Sequence, residues 1–292
     1  MMMGIVTYIL LGGVLALQTP PAPQEAEEKK ALTWEMNRKG EFLVKWKYEE
    51  NTRHRDKYKY LKRFLDKRDI QMTWSPPEKE GSRQTYNVKI KKARWVYEDV
   101  KFRITLDYVA GKKVKETSSV KKIFAPLHPE LRNIDMVRAR QELALKVAAM
   151  KNLLVQKYAL SMRSNGTPMV HTTGTAVQQR ARGVGSNIFA PLFVTPSLAN
   201  KTIERGKEWL LNRREDLPFG TIPGAVTPVL KVRSCSGKNI ILDTDARGRV
   251  GTKQYILTMK FRYSKEGYLK FGSAIIRNGD MRKTMTLSMQ KI

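Results

Sequence analysis

The sequence has few of the residues that build disulfide-bonded or metal-binding proteins. Among its 292 residues there is one cysteine, Cys235, and the histidines are limited to His54, His128 and His171. A disulfide within the chain is therefore impossible, and so is a cysteine-rich zinc or iron–sulfur site. Cys235 stands in the segment RSCSG, which is typical of a strand end that enters a turn, and we predict an inert thiol there.

Motifs that would mark an active site are also missing. The chain has neither the Gly-x4-Gly-Lys-Ser/Thr phosphate loop nor the Gly-x-Ser-x-Gly nucleophile elbow. The segment 243–245 (Asp-Thr-Asp) lacks the later oxygen ligands of a calcium loop, because Arg247 and Arg249 follow it, and it predicts a turn. We expect no cofactor and no metal site. Carboxylate pairs that cleave glycosides come from separate strands, so a hydrolase with a hidden site stays an alternative.

Acidic residues are scarce relative to basic ones. There are 27 Asp and Glu against 55 Lys and Arg, which gives a formal net charge of +28. Such an excess of one sign destabilises the compact state unless salt or a polyanion screens it. The charge favours an anionic partner, either an anionic polymer (nucleic acid or acidic polysaccharide) or an anionic membrane surface. A basic surface without a specific partner is the alternative.

Long apolar runs are limited to the N-terminus, where residues 4–17 carry no charge. This run has the length of a signal-peptide core and is shorter than the roughly 20 residues that a membrane-spanning helix needs. We predict a signal peptide at 1–18 and a proline-rich, then acidic linker at 19–31, in a protein exported to the periplasm, the cell envelope or the medium. Because residues 1–3 include no basic residue, an uncleaved anchor or a buried N-terminal helix is the alternative.

From residue 32 onward, apolar and polar residues alternate as they do in half-buried strands. In the first such segment Phe42, Val44, Trp46 and Tyr48 fall on one face. Further strands are predicted at 57–61, 69–74, 85–90, 100–109, 114–124, 157–163, 209–212, 229–234, 240–243, 254–263, 268–277 and 284–291. Short connections with turn residues, such as those at 165–166 and 278–280, favour an antiparallel meander.

One segment, residues 133–154, has helical rather than strand-like spacing and contains neither Gly nor Pro. Asn133 is expected to cap this helix. Its apolar positions are Ile134, Val137, Leu143, Val147, Met150 and Leu154. The sequence therefore predicts a mainly β (α+β) fold, in which a curved antiparallel sheet or partial barrel packs on one central amphipathic helix.

The β-rich domain is predicted to span residues 32–292. A finer alternative divides it into two β halves, 32–128 and 155–292, that the helix joins. This division is suggested by a basic residue and a glycine before an aromatic-led strand at both 39–43 and 205–210. A glycine turn before a strand is common, so the two segments also fit an undivided domain.

Cations and aromatic residues are mixed most densely between residues 53 and 63. On a strand, the lysines at 57 and 59 would share one face and the tyrosines at 58 and 60 the other. Proteins that bind single-stranded nucleic acid combine such cations with rings that stack on bases. The same alternation is typical of a half-buried strand with a solvated face. The candidate polyanion-binding residues are Arg53, Arg55, Lys57, Lys59, Lys62 and Arg63.

Several segments follow one another in a recognisable order: LTWEMNRKGEFLVKW, KFRITLDYV, QKYALSMRSNGTPMV, ERGKEWLLN, YILTMKFRYSKEGYLKFGSAII and TMTLSMQKI. In this order they resemble uncharacterised exported β-rich proteins of planctomycetes and related bacteria, over residues 32–292. The resemblance implies an exported β-rich protein and transfers no catalytic residues. This chain departs from the group in its stronger basic charge and longer loops.

Three functional hypotheses follow from these features. The first is a non-enzymatic exported envelope protein with a binding or structural role. The second is a polyanion-binding protein that uses the basic residues between 53 and 63. The third is a hydrolase whose catalytic residues the sequence does not reveal.

Overall fold

A computed structural model describes residues 40–55, 61–76, 85–121, 135–162, 168–172, 203–211, 228–235, 239–264 and 268–292. Within these ranges the chain forms thirteen β-strands and one α-helix. In chain order the elements are β1 (Phe42–Arg55), β2 (Leu61–Ser75), β3 (Thr85–Glu98), β4 (Phe102–Val109), β5 (Lys115–Val120), α1 (Met136–Val155), β6 (Tyr158–Met162), β7 (Pro168–Thr172), β8 (Glu208–Leu210), β9 (Val229–Ser234), β10 (Asn239–Val250), β11 (Lys253–Ser264), β12 (Leu269–Arg277) and β13 (Met281–Lys291).

The strands form a single antiparallel sheet that is curved and not closed. Its main path is β5-β4-β3-β2-β1-β13-β12-β11-β10-β9-β8, and β6 pairs with both β3 and β7. Along most of the path, neighbours are consecutive in sequence, as in a meander. The long step joins β1 to β13, from Phe42 opposite Lys291 to Thr52 opposite Met281. The predicted fold, a curved antiparallel sheet with one helix, is confirmed.

Each strand has two faces because side chains alternate along it. In β1, Phe42, Val44, Trp46 and Tyr48 are buried, and the lysines between them are exposed. We call the face that carries the buried side chains the inner face, and the opposite one the outer face. Residues directly opposite each other in an antiparallel pair share a face, so the register of each strand pair extends this division across the sheet.

The inner face carries a continuous hydrophobic core. Trp46 of β1 lies opposite Ile70 of β2 and Leu287 of β13, and all three are buried. Further along the sheet, Leu257 and Met259 of β11 are fully buried. Burying one large apolar side chain stabilises a fold by about 1.5–3 kcal/mol, so the core is the main source of the sheet's stability.

Helix α1 covers the inner face near β3, β4 and β5. It begins after Asp135, whose carboxylate accepts hydrogen bonds from Val137 N at 2.8 Å and Arg138 N at 3.4 Å. The predicted cap, Asn133, lies outside the described residues. The buried face of the helix consists of Ala139, Leu143, Val147, Met150 and Leu154. Val137, which was predicted to belong to this face, is exposed because it lies in the first turn, away from that face.

Ion pairs attach the helix to the sheet. Lys146 Nζ lies 3.4 Å from the Asp99 carboxylate and 3.7 Å from the centre of the Tyr97 ring. Lys151 pairs with Glu116 at 2.5 Å. Burial, followed by the hydrogen bond to Asp99, raises the pKa of the Tyr97 hydroxyl, which therefore donates as a neutral group. The apolar stripe of the helix and these pairs together fix its position over β3–β5.

The N-terminal predictions lie outside the described residues, which begin at Gly40. The signal peptide at 1–18 and the linker at 19–31 therefore stay predictions, as does the division of the β-rich domain into halves. Within the described ranges, no helix combines the length and the apolar composition that crossing a bilayer requires.

Candidate polyanion-binding surface

The predicted basic residues lie where β1 ends and β2 begins. Arg53 is directly opposite Arg63, and both side chains are exposed on the outer face. Two of the six predicted residues are therefore placed side by side. The other four lie outside the residues whose side chains the structure describes: Arg55, Lys57, Lys59 and Lys62.

Arginines from the C-terminal strands continue this basic surface. Arg282 of β13 lies opposite Asn51 of β1 and opposite Arg277 of β12. Arg277 lies opposite Ile256 of β11, and Ile256 lies opposite Arg247 of β10. Because opposite residues share a face, the register aligns these side chains on the outer face at the same end of the sheet as Arg53.

We call this set the arginine row. Its members are Arg53, Arg63, Arg247, Arg249, Arg277 and Arg282, and all six are exposed. The row extends from β2 through β1, β13 and β12 to β10, and thus crosses five strand spacings. At about 4.8 Å per spacing, it covers about 24 Å along the sheet. Arg247, Arg277 and Arg282 lie on one register line across the strands, and Arg53, Arg63 and Arg249 are two residues away from that line.

Two pairs in the row place like charges directly opposite each other: Arg53 with Arg63, and Arg277 with Arg282. Like charges in such positions destabilise a sheet. Among the described residues, no carboxylate forms an ion pair with any member of the row. A bound anion would relieve the repulsion, and this is the physical reason to regard the row as a binding surface.

Elsewhere on the outer face, cations lie opposite acids. Lys47 pairs with Asp69 at 2.9 Å, and Lys67 pairs with Glu49 at 3.5 Å. Arg94 likewise lies opposite Asp69. Charge complementarity is thus common on the outer face, which makes the opposed arginines an exception that needs an explanation.

Two carboxylates near the row, those of Glu98 and Asp280, have lysine partners. The hydrogen bond from Lys121, at 2.8 Å, is the main cause that lowers the pKa of Glu98, and the charges of Arg63 and Arg103 act in the same direction. Asp280 pairs with Lys253 at 3.0 Å. Both acids thus have a lysine partner, and Glu98 also partly offsets the charge of Arg63.

On the inner face, the carboxylates of Glu50 and Asp66 lie directly opposite each other. Glu50 accepts a hydrogen bond from Tyr48 at 2.6 Å and pairs with Lys283 at 3.0 Å. Asp66 pairs with Arg68 at 2.5 Å. Each carboxylate is paired with a cation of its own, and Asp66 is buried while Glu50 is partly exposed. This geometry favours a structural role over acid–base catalysis.

The Asp-Thr-Asp segment at 243–245 is not a turn, so that prediction is wrong. It lies within β10, and the Asp243 carboxylate accepts a hydrogen bond from Arg233 Nε of the neighbouring strand at 2.8 Å. Pairing on both sides of β10 holds the segment extended. In the described part of the chain, no group of three or more potential metal ligands occurs.

Comparison with known proteins adds no family to these observations. The chain matches no protein-family model and no curated protein sequence.

Sequence reasoning missed the arginines of the C-terminal strands. Arg277 and Arg282 lie on either side of the predicted turn at 278–280, so a hairpin through that turn already places them close together. Their proximity to Arg53 could not be inferred in the same way, because it depends on the pairing of β1 with β13. The sequence therefore indicates each of the two opposed arginine pairs separately, but not that the two pairs are close to each other.

Replacing Arg277 with glutamate should stabilise the protein by about 0.2–1 kcal/mol at low salt, because an opposite-charge pair replaces a like-charge pair. Lys67→Glu is the matched control: it makes the same charge change but places glutamate opposite Glu49 and should destabilise the sheet. Urea unfolding of both variants, at about 0.05 M and 1 M salt, measures the difference. Screening at high salt should reduce the difference between the stability changes of the two variants. Equal shifts for both at low salt would show that net charge alone decides the outcome.

Proposed function

We propose that this protein is a non-enzymatic, exported envelope protein that binds acidic polymers on its arginine row. The observation that carries the proposal is the direct opposition of Arg53 with Arg63 and of Arg277 with Arg282, without a described carboxylate partner. The protein bears this repulsion in its free state, and an anionic polymer removes it on binding. Stability and binding are thus coupled through the same side chains.

The residue type supports a polymer with phosphate, sulfate or carboxylate groups. The planar guanidinium of arginine donates two parallel hydrogen bonds to such anions, whereas lysine acts as a point charge. Six exposed arginines along about 24 Å of sheet match an extended chain of anions better than one small ligand. We therefore expect several anionic groups along one polymer, rather than a single small anion, to contact the row.

Within this class we favour an acidic polysaccharide. Binders of single-stranded nucleic acid stack bases on aromatic side chains. The neutral positions that separate the described arginines are Asn51, Leu65 and Ile256, none of which is aromatic. The export that the N-terminal segment predicts would also place the protein among envelope polysaccharides. Nucleic-acid binding is the second candidate, to be separated by competition.

The test compares the unchanged protein with the quadruple variant R53S/R63S/R277S/R282S in a heparin titration at several salt concentrations. Each phosphate contact contributes about 0.9 to the slope of log affinity against log salt on duplex DNA. By the same reasoning, we expect the slope for heparin to fall by about 3 to 4. Single-stranded oligonucleotides should compete weakly with heparin, and strong competition would favour the second candidate.

The control is a second quadruple variant with the same change in net charge, K89S/K91S/K112S/K113S. These lysines are exposed and lie at the opposite end of the sheet from the arginine row. We expect this variant to keep the salt slope of the unchanged protein. An equal decrease of the salt slope in both variants would mean that heparin binding depends only on the net charge, and the proposal would be wrong.

A further inference from the structure

A second basic surface lies where β3 changes partners. On one side, β3 pairs with β4 over residues 92–98 and with β6 over residues 85–88. Between these ladders the register with β2 shifts, because Met72 lies opposite Ile90 and Gln71 lies opposite Lys92. Such a bulge leaves an extra residue and changes the direction of nearby side chains. Lys89, Lys91 and Lys92 are all exposed there.

The turn between β4 and β5 lies against this bulge. The Ala110 N–H donates to the Lys91 carbonyl at 2.9 Å, and the Lys112 N–H donates to the Val109 carbonyl at 2.9 Å. Gly111 has a φ of 78°, a conformation that favours glycine and allows the tight turn. The turn therefore places the exposed Lys112 and Lys113 beside the lysines of the bulge.

We call this surface the lysine corner. Its six exposed members are Lys89, Lys91, Lys92, Lys112, Lys113 and Lys157. Lys157 belongs to it because the next residue, Tyr158, pairs with Val88. Among the described residues, none of the six lysines forms an ion pair. The corner also exposes Val109, whose relative accessibility is 41%.

The chemistry of the lysine corner differs from that of the arginine row. Lysine ammonium groups are compact charges on flexible stems and do not require a bidentate partner. They suit a diffuse layer of anionic groups, such as the headgroups of a bilayer. Each lysine near an anionic bilayer raises binding about fivefold. An exposed apolar side chain such as Val109 adds contact with the interfacial region.

The position of the corner also favours a membrane. The first described residue is Gly40, just before β1. Lys92 of β3 lies opposite Gln71 of β2, and Gln71 lies opposite Lys45 near the start of β1. The start of β1 and the lysine corner thus lie toward the same end of the sheet, and the arginine row lies toward the other. In the sequence, the apolar segment 4–17, which is predicted as a signal peptide or anchor, precedes β1.

We infer that the lysine corner binds the anionic headgroups of a lipid bilayer. The protein would then sit with its lysine end on the membrane surface and its arginine row directed away from it. This inference does not depend on the proposed polymer binding, because it uses other residues and another ligand. Free polyanions at the corner are an outcome that the test separates.

The test measures flotation of the full chain with two kinds of vesicle: phosphatidylcholine alone, and phosphatidylcholine with 30% phosphatidylglycerol. The variant K89S/K91S/K112S/K113S should bind the anionic vesicles at least tenfold more weakly than the unchanged protein. Its binding to neutral vesicles, which reports any contribution of the apolar segment 4–17, should stay the same. Thermal unfolding followed by circular dichroism checks that the variant is folded.

The charge-matched arginine variant R53S/R63S/R277S/R282S should bind the anionic vesicles within about twofold of the unchanged protein. Three results would overturn the inference: an equal loss in both variants, no loss in the lysine variant, or a larger effect of the lysine variant on heparin than on vesicles. If the lysine variant binds anionic vesicles more weakly and the arginine variant binds only heparin more weakly, both surfaces are assigned. The vesicle experiment tests only the lysine corner, and the heparin titration tests only the arginine row, so failure of one proposal does not decide the other.

Discussion

Replacing Asp66 with alanine is expected to lower the free energy of unfolding by about 3 to 5 kcal/mol, because it removes the carboxylate that pairs with the largely buried Arg68 guanidinium. The Asp66 carboxylate accepts two hydrogen bonds from Arg68, at 2.5 and 3.0 Å. It also accepts a hydrogen bond from Trp95 Nε1 at 2.8 Å. The Arg68 side chain is only 11% exposed, and its guanidinium lies 4.6 Å from the Trp95 ring centre. Urea unfolding followed by far-ultraviolet circular dichroism measures the loss.

Two further variants identify the cause of this loss. Asp69→Asn, three residues along the same strand, removes a partner of the exposed Lys47 and should cost at most about 1 kcal/mol. The double variant D66L/R68M removes both buried charges together and should recover much of the stability that Asp66→Ala loses. If Asp66→Ala and Asp69→Asn lowered the free energy of unfolding by similar amounts, the buried pair would contribute no more to stability than an exposed pair.

Replacing Trp46 with alanine is expected to cost about 3 to 5 kcal/mol, because it leaves a large cavity at the junction of β1 with β2 and β13. The side chain is only 1% exposed and lies opposite Ile70 and Leu287. Its ring is nearly parallel to that of Tyr48, with centres 6.0 Å apart. This junction joins the first and last strands of the sheet, so the cavity weakens the contact on which the sheet's continuity depends.

The matched control for Trp46 is its neighbour Lys45, which points to the outer face. Lys45→Ala should change stability by no more than about 0.5 kcal/mol. Trp46→Phe retains part of the ring and should fall between the two alanine variants. A loss below 1 kcal/mol for Trp46→Ala would contradict the assignment of Trp46 to the core between β1 and β13.

The core and the arginine row are connected through the same strand pairing. The register that places Trp46 opposite Leu287 also places Asn51 opposite Arg282. A shift by one residue would turn every side chain of β1 to the other face. Weakening the core at β13 should therefore affect polymer binding as well as stability, even though the substituted residue is far from the row.

Much of the local structure could be predicted from single segments. The alternation around Trp46 predicted a strand with one buried face, and the structure confirms it. The helical spacing of residues 133–154 predicted α1, which is described from Met136 to Val155. The segment 243–245 was predicted wrongly, because two aspartates with following arginines look like a turn unless the strands on each side are known.

The candidate site was predicted only in part, and the reason is the distance in sequence between its members. Arg53 and Arg63 are close enough in the chain for one hairpin to bring them together. Arg282 lies far from both in sequence and reaches the row through the pairing of β1 with β13. No pattern within β1 or within β13 indicates that these two strands pair with each other.

The sequence by itself determined the net charge of +28, the lack of a disulfide, the two-faced character of the strands and the existence of the helix. These properties follow from composition and from side-chain periodicity within short segments. Only the tertiary structure decided which strands are neighbours, and with that the arginine row, the lysine corner and the buried pair of Asp66 with Arg68. Long-range pairing is chosen by the packing of the whole inner face, because many buried side chains must fit at once, and that choice cannot be read from any one strand.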